Sequence, residues 1–225
     1  MAFILTNDDG IDAPGLQALA EAINKEVIIV APKKHHSGCG HQVTTHRPIH
    51  LDRRDVDTYA VEGTPADCTR LALAHVSPQT QWLLSGINAG GNLGVDSYIS
   101  GTVAAAREAA IHNVASVAIS QVIRRPLVID WQLASRWTTK VLTQLWQKPL
   151  PAKHFWNVNF PHLVPGSPDP DVVFCKPSDC PLPLKYDIEG DSFHYVGEYR
   201  NRDRRTGTDV DICFSGKIAV TLLKA

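Results

Sequence analysis

Phe3-Ile4-Leu5-Thr6-Asn7-Asp8-Asp9-Gly10 passes without a break from an apolar run into a polar turn, and Val27-Ile28-Ile29-Val30-Ala31-Pro32 is a second apolar run further on. Between them Leu16, Leu19, Ala20 and Ile23 recur at i, i+3, i+4 and i+7, one apolar stripe of a helix. Pro14 suits the first turn of that helix, where a missing N–H leaves no hydrogen bond unmade. Two short apolar strands joined by an amphipathic helix form the repeating unit of a parallel sheet, whose strands are covered on both faces and so read as continuous apolar runs. The fold class expected from this stretch is α/β.

The alternation continues along the chain. Helices are expected over 65–76, 103–112 and 130–145, and strands over 82–87 and 114–119. Trp156, Val158 and Phe160 alternate with Asn157 and Asn159, the pattern of a half-buried strand. Beyond Pro161 prolines and glycines multiply. Strands at 172–175, 193–199 and 218–223 follow there without helices between them, an antiparallel excursion on the α/β core. A single domain over 1–225 is expected, with the core in about 1–160 and the excursion and closing strand in about 161–225.

Lysine and arginine number 22 against 23 aspartates and glutamates, a formal charge of -1, so no stable nucleic-acid partner is expected. With 44% hydrophobic and 20% charged residues the composition is that of a globular protein, which excludes a disordered polymer. Apolar runs such as 27–31 fall far short of the roughly 20 residues that cross a bilayer, so no membrane association is expected. The first residues show neither a basic leader nor an apolar signal core, and the expected location is cytoplasmic. Cys39, Cys68, Cys175, Cys180 and Cys213 are scattered and form no Cys-x-x-Cys pair, which argues against a disulfide framework or a thiolate zinc site.

In open α/β sheets ligands collect beyond the carboxyl ends of the strands, and the most polar segments of the chain fall there. After the first strand, a turn at Gly10 lets Asp8 and Asp9 offer carboxylate oxygens to one hard cation, though the same residues also suit a plain turn or a helix cap. After the second comes His35-His36-Ser37-Gly38-Cys39-Gly40-His41, where Ser37 could supply an oxygen to a metal and the histidines could serve as acids, ligands or solvated loop residues. The richest segment, 85–92, contains Asn88, Gly90, Gly91 and Asn92 and is followed by Ser100-Gly101-Thr102 at the start of a helix. Unpaired amides at a helix amino terminus with hydroxyls beside them suit a phosphate group, and capping the helix is compatible with that role. Gly63-Thr64-Pro65-Ala66-Asp67 reads as a helix start, and the charged run 200–205 as a solvated hairpin tip. No Gly-x-x-x-x-Gly-Lys-Ser/Thr loop is present.

Together these motifs resemble those of the SurE survival protein family. The resemblance rests on Thr6 to Gly10 with Ala13-Pro14-Gly15, Ser37-Gly38 with Thr44, Gly63 to Cys68, and Ser85 to Gly94 followed by Ser100-Gly101-Thr102. Asn157 to Pro161 and Gly207-Thr208-Asp209 look like family segments further along. It implies a metal-dependent phosphatase acting on nucleoside 5'- and 3'-monophosphates, with a Rossmann-like, mostly parallel sheet flanked by helices. It also implies an antiparallel excursion in the C-terminal third that helps build a homodimer or homotetramer. By the same resemblance Asp8, Asp9, Ser37 and Asn88 hold one divalent ion per subunit, Mg or Mn, while Asn92, Ser100, Gly101 and Thr102 surround the substrate phosphate. Lys33-Lys34-His35-His36 and Gly91 depart from the usual family pattern, and the chain stops at Ala225 where many relatives continue.

The expected activity is therefore hydrolysis of phosphomonoesters, with Asp8 or Asp9 orienting or deprotonating the attacking water. A competing expectation is a nucleotide or phosphate sensor or carrier that binds at the Ser100 helix without turnover. A structural module whose polar loops are only turns is a third.

Overall fold

The computed structural model describes residues 2–225. The first half contains β1 (Ala2–Thr6), α1 (Pro14–Ala22), β2 (Val27–Pro32), β3 (Leu51–Asp55), β4 (Thr58–Val61), α2 (Pro65–Leu71) and β5 (Thr80–Ala89). After a 3-10 turn at Gly94–Tyr98 come α3 (Gly101–Ile111), β6 (Ala115–Gln121), α4 (Trp131–Leu145) and β7 (His154–Phe160). The last third holds β8 (Val172–Cys175), β9 (Tyr186–Glu189), β10 (Ser192–Tyr195), a 3-10 turn at Tyr199–Asn201, α5 (Asp209–Phe214) and β11 (Ile218–Lys224).

A nine-stranded sheet runs in the order β3-β4-β2-β1-β5-β6-β7-β11-β8. From β4 to β7 every neighbouring pair is parallel. β3 is antiparallel to β4 at one edge; toward the other, β11 is antiparallel to β7 and the edge strand β8 is parallel to β11 rather than antiparallel as expected, while β9 and β10 form a separate antiparallel hairpin. The expected α/β class with an antiparallel addition near the C-terminus is the class observed.

Apolar side chains sort by the two-residue period of a strand. On β1, Phe3 and Leu5 face a core made with Leu16 and Leu19 of α1 and Trp137, Val141 and Leu142 of α4. Ile4, between them, points the other way into a core with Val30, Cys68, Leu83 and Ala109. Helices thus cover both faces, which is why the central strands carry no polar alternation. The helix starts are capped from the sequence itself: Asp130 accepts from Leu133 N at 2.9 Å, and Thr64 and Asp67 form a reciprocal capping box.

Four expectations need correction. The β7 strand is buried on both faces rather than half-buried, so Asn157 and Asn159 lie inside, where α3, α5 and the Asn92 loop cover what would otherwise be a solvent face. The strand expected over 193–199 stops at Tyr195, and α5 interrupts a region expected to lack helices. The charged run 200–205 is not a solvated tip at Arg202, which is buried and paired with Asp96 Oδ2 at 2.6 Å. Three strands also went unread: β3 and β9 are edge or hairpin strands whose exposed residues escape any inward-facing pattern, and β4 is only four residues long.

The strand order places the site. From β1 the chain crosses to β2 on one side and later returns to β5 on the other, so the carboxyl ends of β1 and β5 bound the crevice where strand order reverses. The polar turn at Asp8 and the loop at Asn88 both open there.

Candidate active site

The β1 turn is built by Asn7, whose Nδ2 donates to Gly10 O at 2.8 Å while its Oδ1 accepts from Gly10 N at 3.2 Å. That closure frees the next two carboxylates to face the crevice. Asp8 is buried, and the Thr102 hydroxyl from the first turn of α3 donates to its Oδ1. It also packs on Gly101: a Cβ there would stand 2.9 Å from Asp8 Cβ and 3.1 Å from Asp8 Oδ2. Only glycine permits this approach. Burial pushes the Asp8 carboxyl above its ordinary range, with the neighbouring Asp9 charge adding to the rise and the Thr102 hydrogen bond opposing it.

Asp9 turns toward the other loops. Its Oδ2 accepts from Ala89 N at 3.0 Å, joining it to the end of β5, and its Oδ1 lies 3.8 Å from His35 Nε2. His35 in turn hydrogen-bonds Ser37, and the backbone N–H of His36 donates to Asp8 O at 2.8 Å, so the loop after β2 lies across both aspartates. Burial, aided by the adjacent His35, pushes the His36 ring below its ordinary range and favours its neutral form. Two anchors hold this loop: Thr44 donates through its N–H and hydroxyl to Asp67, and His41 meets Glu108 of α3 at 2.7 Å.

Asn88 donates from Nδ2 to Gly90 O at 2.8 Å, which leaves its Oδ1 as the uncommitted end of the amide. The strand register shifts between Ser85 and Asn88, and pairing resumes at Asn88 with Ser120 and at Asp9's partner Ala89 with Gln121, so the irregularity resets where Asn88 stands along the strand. Ser100 is buried and caps α3, its Oγ accepting from Val103 N at 3.1 Å. Asp8, Gly101 and Thr102 are therefore in direct contact, and Asp9, Ala89, His35 and Ser37 form a second chain of contacts from the same turn.

Asn92 is placed differently. Its Nδ2 donates to Ser120 Oγ at 2.8 Å, its N–H donates to Asn159 Oδ1 at 2.7 Å, and its carbonyl accepts from Asn157 Nδ2 and Asn159 Nδ2. The residue is an anchor tying the β5 loop to β6 and β7, with one amide hydrogen left over. Asn157, Asn159 and Ser120 were not foreseen in this supporting role. The signal was present in the alternation of asparagine with large apolar residues, which becomes informative only when both strand faces are buried. Glu108 was also missed, a buried acid in an alanine-rich helix.

Among the described residues, no cluster of three or more His, Cys, Asp and Glu side chains could hold a metal, which excludes a histidine- or thiolate-rich centre there. The oxygen set is of another kind. Two adjacent carboxylates, one buried, have no lysine or arginine within ion-pair distance among the described residues, and a serine and an amide oxygen stand nearby. A hard divalent cation fits that donor set and would reverse the penalty that burial places on the Asp8 charge.

The chain was compared with known proteins. The family model described as "Survival protein SurE" matches residues 3–178. A candidate 5'-nucleotidase of Nostoc sp. strain PCC 7120 is 58% identical over the full length of both chains. The 5'-nucleotidase SurE of Paramagnetospirillum magneticum is 35% identical over 99% of this chain and 89% of its own. Among solved structures, the SurE protein from Aquifex aeolicus superposes with a TM-score of 0.88 at 30% identity, covering 100% of this chain and 93% of that one.

Proposed function

Because the chain belongs to the survival protein SurE family, we propose that it is a metal-dependent phosphomonoesterase that releases phosphate from nucleoside 5'-monophosphates. One observation carries the reading: the buried Asp8 carboxylate packs directly on the amino terminus of α3, against Gly101 and Thr102. A helix start that attracts anions and a pair of carboxylates that repels them share one crevice. A cation held by the carboxylates would reconcile those preferences.

In this reading Asp8, Asp9, Ser37 and Asn88 hold Mg or Mn, whose bound form neutralises phosphoryl charge and makes a water molecule more acidic. The α3 amides at Gly101 and Thr102, the Ser100 hydroxyl and the remaining amide hydrogen of Asn92 would orient the phosphate, the one hydroxyl proton of Thr102 being committed to Asp8. Thr102 also fixes the rotamer of Asp8 through its hydroxyl. Asp9, less buried and held by Ala89 N, is the better placed of the two to orient water and take its proton. Five free cysteines support a reducing compartment, the cytoplasm. No helix among the described residues is long and apolar enough to cross a membrane.

The test is release of phosphate from nucleoside monophosphates with Mn or Mg. Excess EDTA is expected to abolish release, and Asp9→Asn to lower kcat by about a thousandfold while far-UV circular dichroism stays unchanged. Full turnover in EDTA, or only a tenfold loss in the variant, would count against the reading. Tight nucleotide binding with no release under any divalent ion would make the protein a carrier instead.

A further inference from the structure

A cavity of about 480 Å³ opens at the carboxyl ends of β6 and β7, lined among others by Arg124, Tyr199, Arg200, Arg204 and Phe214. It adjoins the Asn88–Asn92 loop. A Cβ on Gly91 would stand 2.8 Å from Val122 Cγ2 and 3.1 Å from Tyr199 Oη, both groups of the cavity wall. Counted along the sheet edge, the ends of β6 and β7 lie two to three strand spacings from β1, roughly 10–14 Å.

The charges of this cavity are one-sided. Within the run 200–205, Arg202 is committed to Asp96 and Arg205 to Asp179. Among the described residues, neither Arg200, Arg204 nor Arg124 pairs with a carboxylate, and no acidic residue lines the cavity. Arg204 is positioned over the Phe214 ring at 4.8 Å, which keeps its guanidinium extended along the wall. His162 adds no fixed charge: its Nδ1 accepts from Arg124 N at 2.8 Å and its Nε2 meets Val128 O at 3.2 Å, so the neutral ring satisfies both contacts. Three arginines that line one space carry like charges that an anion between them would offset, and the planar fork of a guanidinium matches phosphate oxygens bidentately.

We propose that this cavity binds a second phosphate of the substrate, the one that is not cleaved, so that the preferred substrate is a nucleotide phosphorylated at two positions. The proposal rests on the phosphomonoesterase reading. It adds that the α3 end of the crevice takes the scissile group while Arg124, Arg200 and Arg204 take the other across the nucleoside. Tyr199 and Phe214 give the cavity an aromatic wall beside those cations.

The experiment compares kcat/KM for adenosine 3',5'-bisphosphate with that for AMP, in the wild type and in the triple variant Arg124→Gln, Arg200→Gln, Arg204→Gln. The wild type is expected to favour the bisphosphate by at least about tenfold, and the variant to bring the ratio close to one through KM. A ratio near one in the wild type, or a ratio unchanged in the variant, overturns the proposal. If no substrate is turned over at all, the phosphomonoesterase reading fails on its own and the cavity is judged by calorimetry. A tenfold weaker affinity of the variant for the bisphosphate then sustains the second-phosphate site, and equal affinity overturns it.

Discussion

At Gly101 a missing side chain does chemical work. The helix start approaches Asp8 more closely than any other residue type would permit, and the hydroxyl of Thr102 completes the contact. Gly101→Ala is expected to push Asp8 and Cys39 aside, since the new Cβ would meet Asp8 Cβ at 2.9 Å and Cys39 Sγ at 3.1 Å. A shift of that kind at the proposed metal site is expected to cost about a hundredfold in kcat, and overpacking the buried contact to lower stability by about 1–3 kcal/mol, read from the urea midpoint. Phosphate release at the wild-type rate would count against the placement of Asp8 in the reaction. Asp8, Asp9, Ser37 and Asn88 could be named as one set only through the family resemblance, with which their oxygen-bearing side chains are compatible. Contacts made by Asn92 could not, because they depend on Ser120, Asn157 and Asn159 arriving from strands distant in sequence.

Elements hold the site through a few buried carboxylates. Asp209 at the start of α5 accepts from Gly94 N at 2.7 Å, Ser178 N at 2.8 Å and Val210 N at 2.9 Å, fastening the segment that follows the Asn92 loop. Asp209→Ala orphans three buried amides and is expected to destabilise the protein by about 3 kcal/mol or more, read from urea unfolding. Glu108 performs a similar task between α3 and the loop carrying Ser37, with His41, His112 and Arg70 around it. The hydrogen bond from His41 is the main cause holding the Glu108 carboxyl below its ordinary value of 4.5. A depressed folded pKa gives stability that is present above the unfolded value and lost as pH falls through the folded one. The wild type should therefore lose more Tm than Glu108→Gln as pH is lowered from about 6 to below 4, by a few degrees in a thermal scan. Equal losses would mean that Glu108 is not titrating against its partners. Helix caps such as Asp130 and Thr64 were legible because capping is local, whereas the exposed strand β3, with Asp52, Arg53, Arg54 and Asp55 in succession, lacks any pattern that a buried face would impose.

For the whole molecule, the reversal of strand order beside β1 brings the loops that follow β1, β2 and β5 to one crevice. The β9–β10 hairpin stands apart from that sheet and presents Tyr186, Ile188, Phe193 and Tyr195 to solvent; Ile188 and Phe193 are directly opposite each other at 64% and 63% exposure. The expectation of a homodimer or homotetramer places its interface on this exposed apolar face. Ile188→Asp with Phe193→Asp should yield a monomer by light scattering with the sheet intact by circular dichroism. A wild type that is already monomeric at micromolar concentration would remove this role from the hairpin.

Hydrophobic periodicity and turn chemistry are local properties, and they alone determined the α/β class, the central strands and helices, and the polar turns that end β1, β2 and β5. Burial and contact between distant segments were decided only by the tertiary structure. Asn157 and Asn159 became interior groups because α3, α5 and the Asn92 loop cover β7, Arg202 became a buried ion-pair partner because Asp96 lies across from it, and three other arginines came to share a cavity with no acid in its wall. A side chain's charge and shape are written in the chain, but what it faces is set by which strands lie side by side.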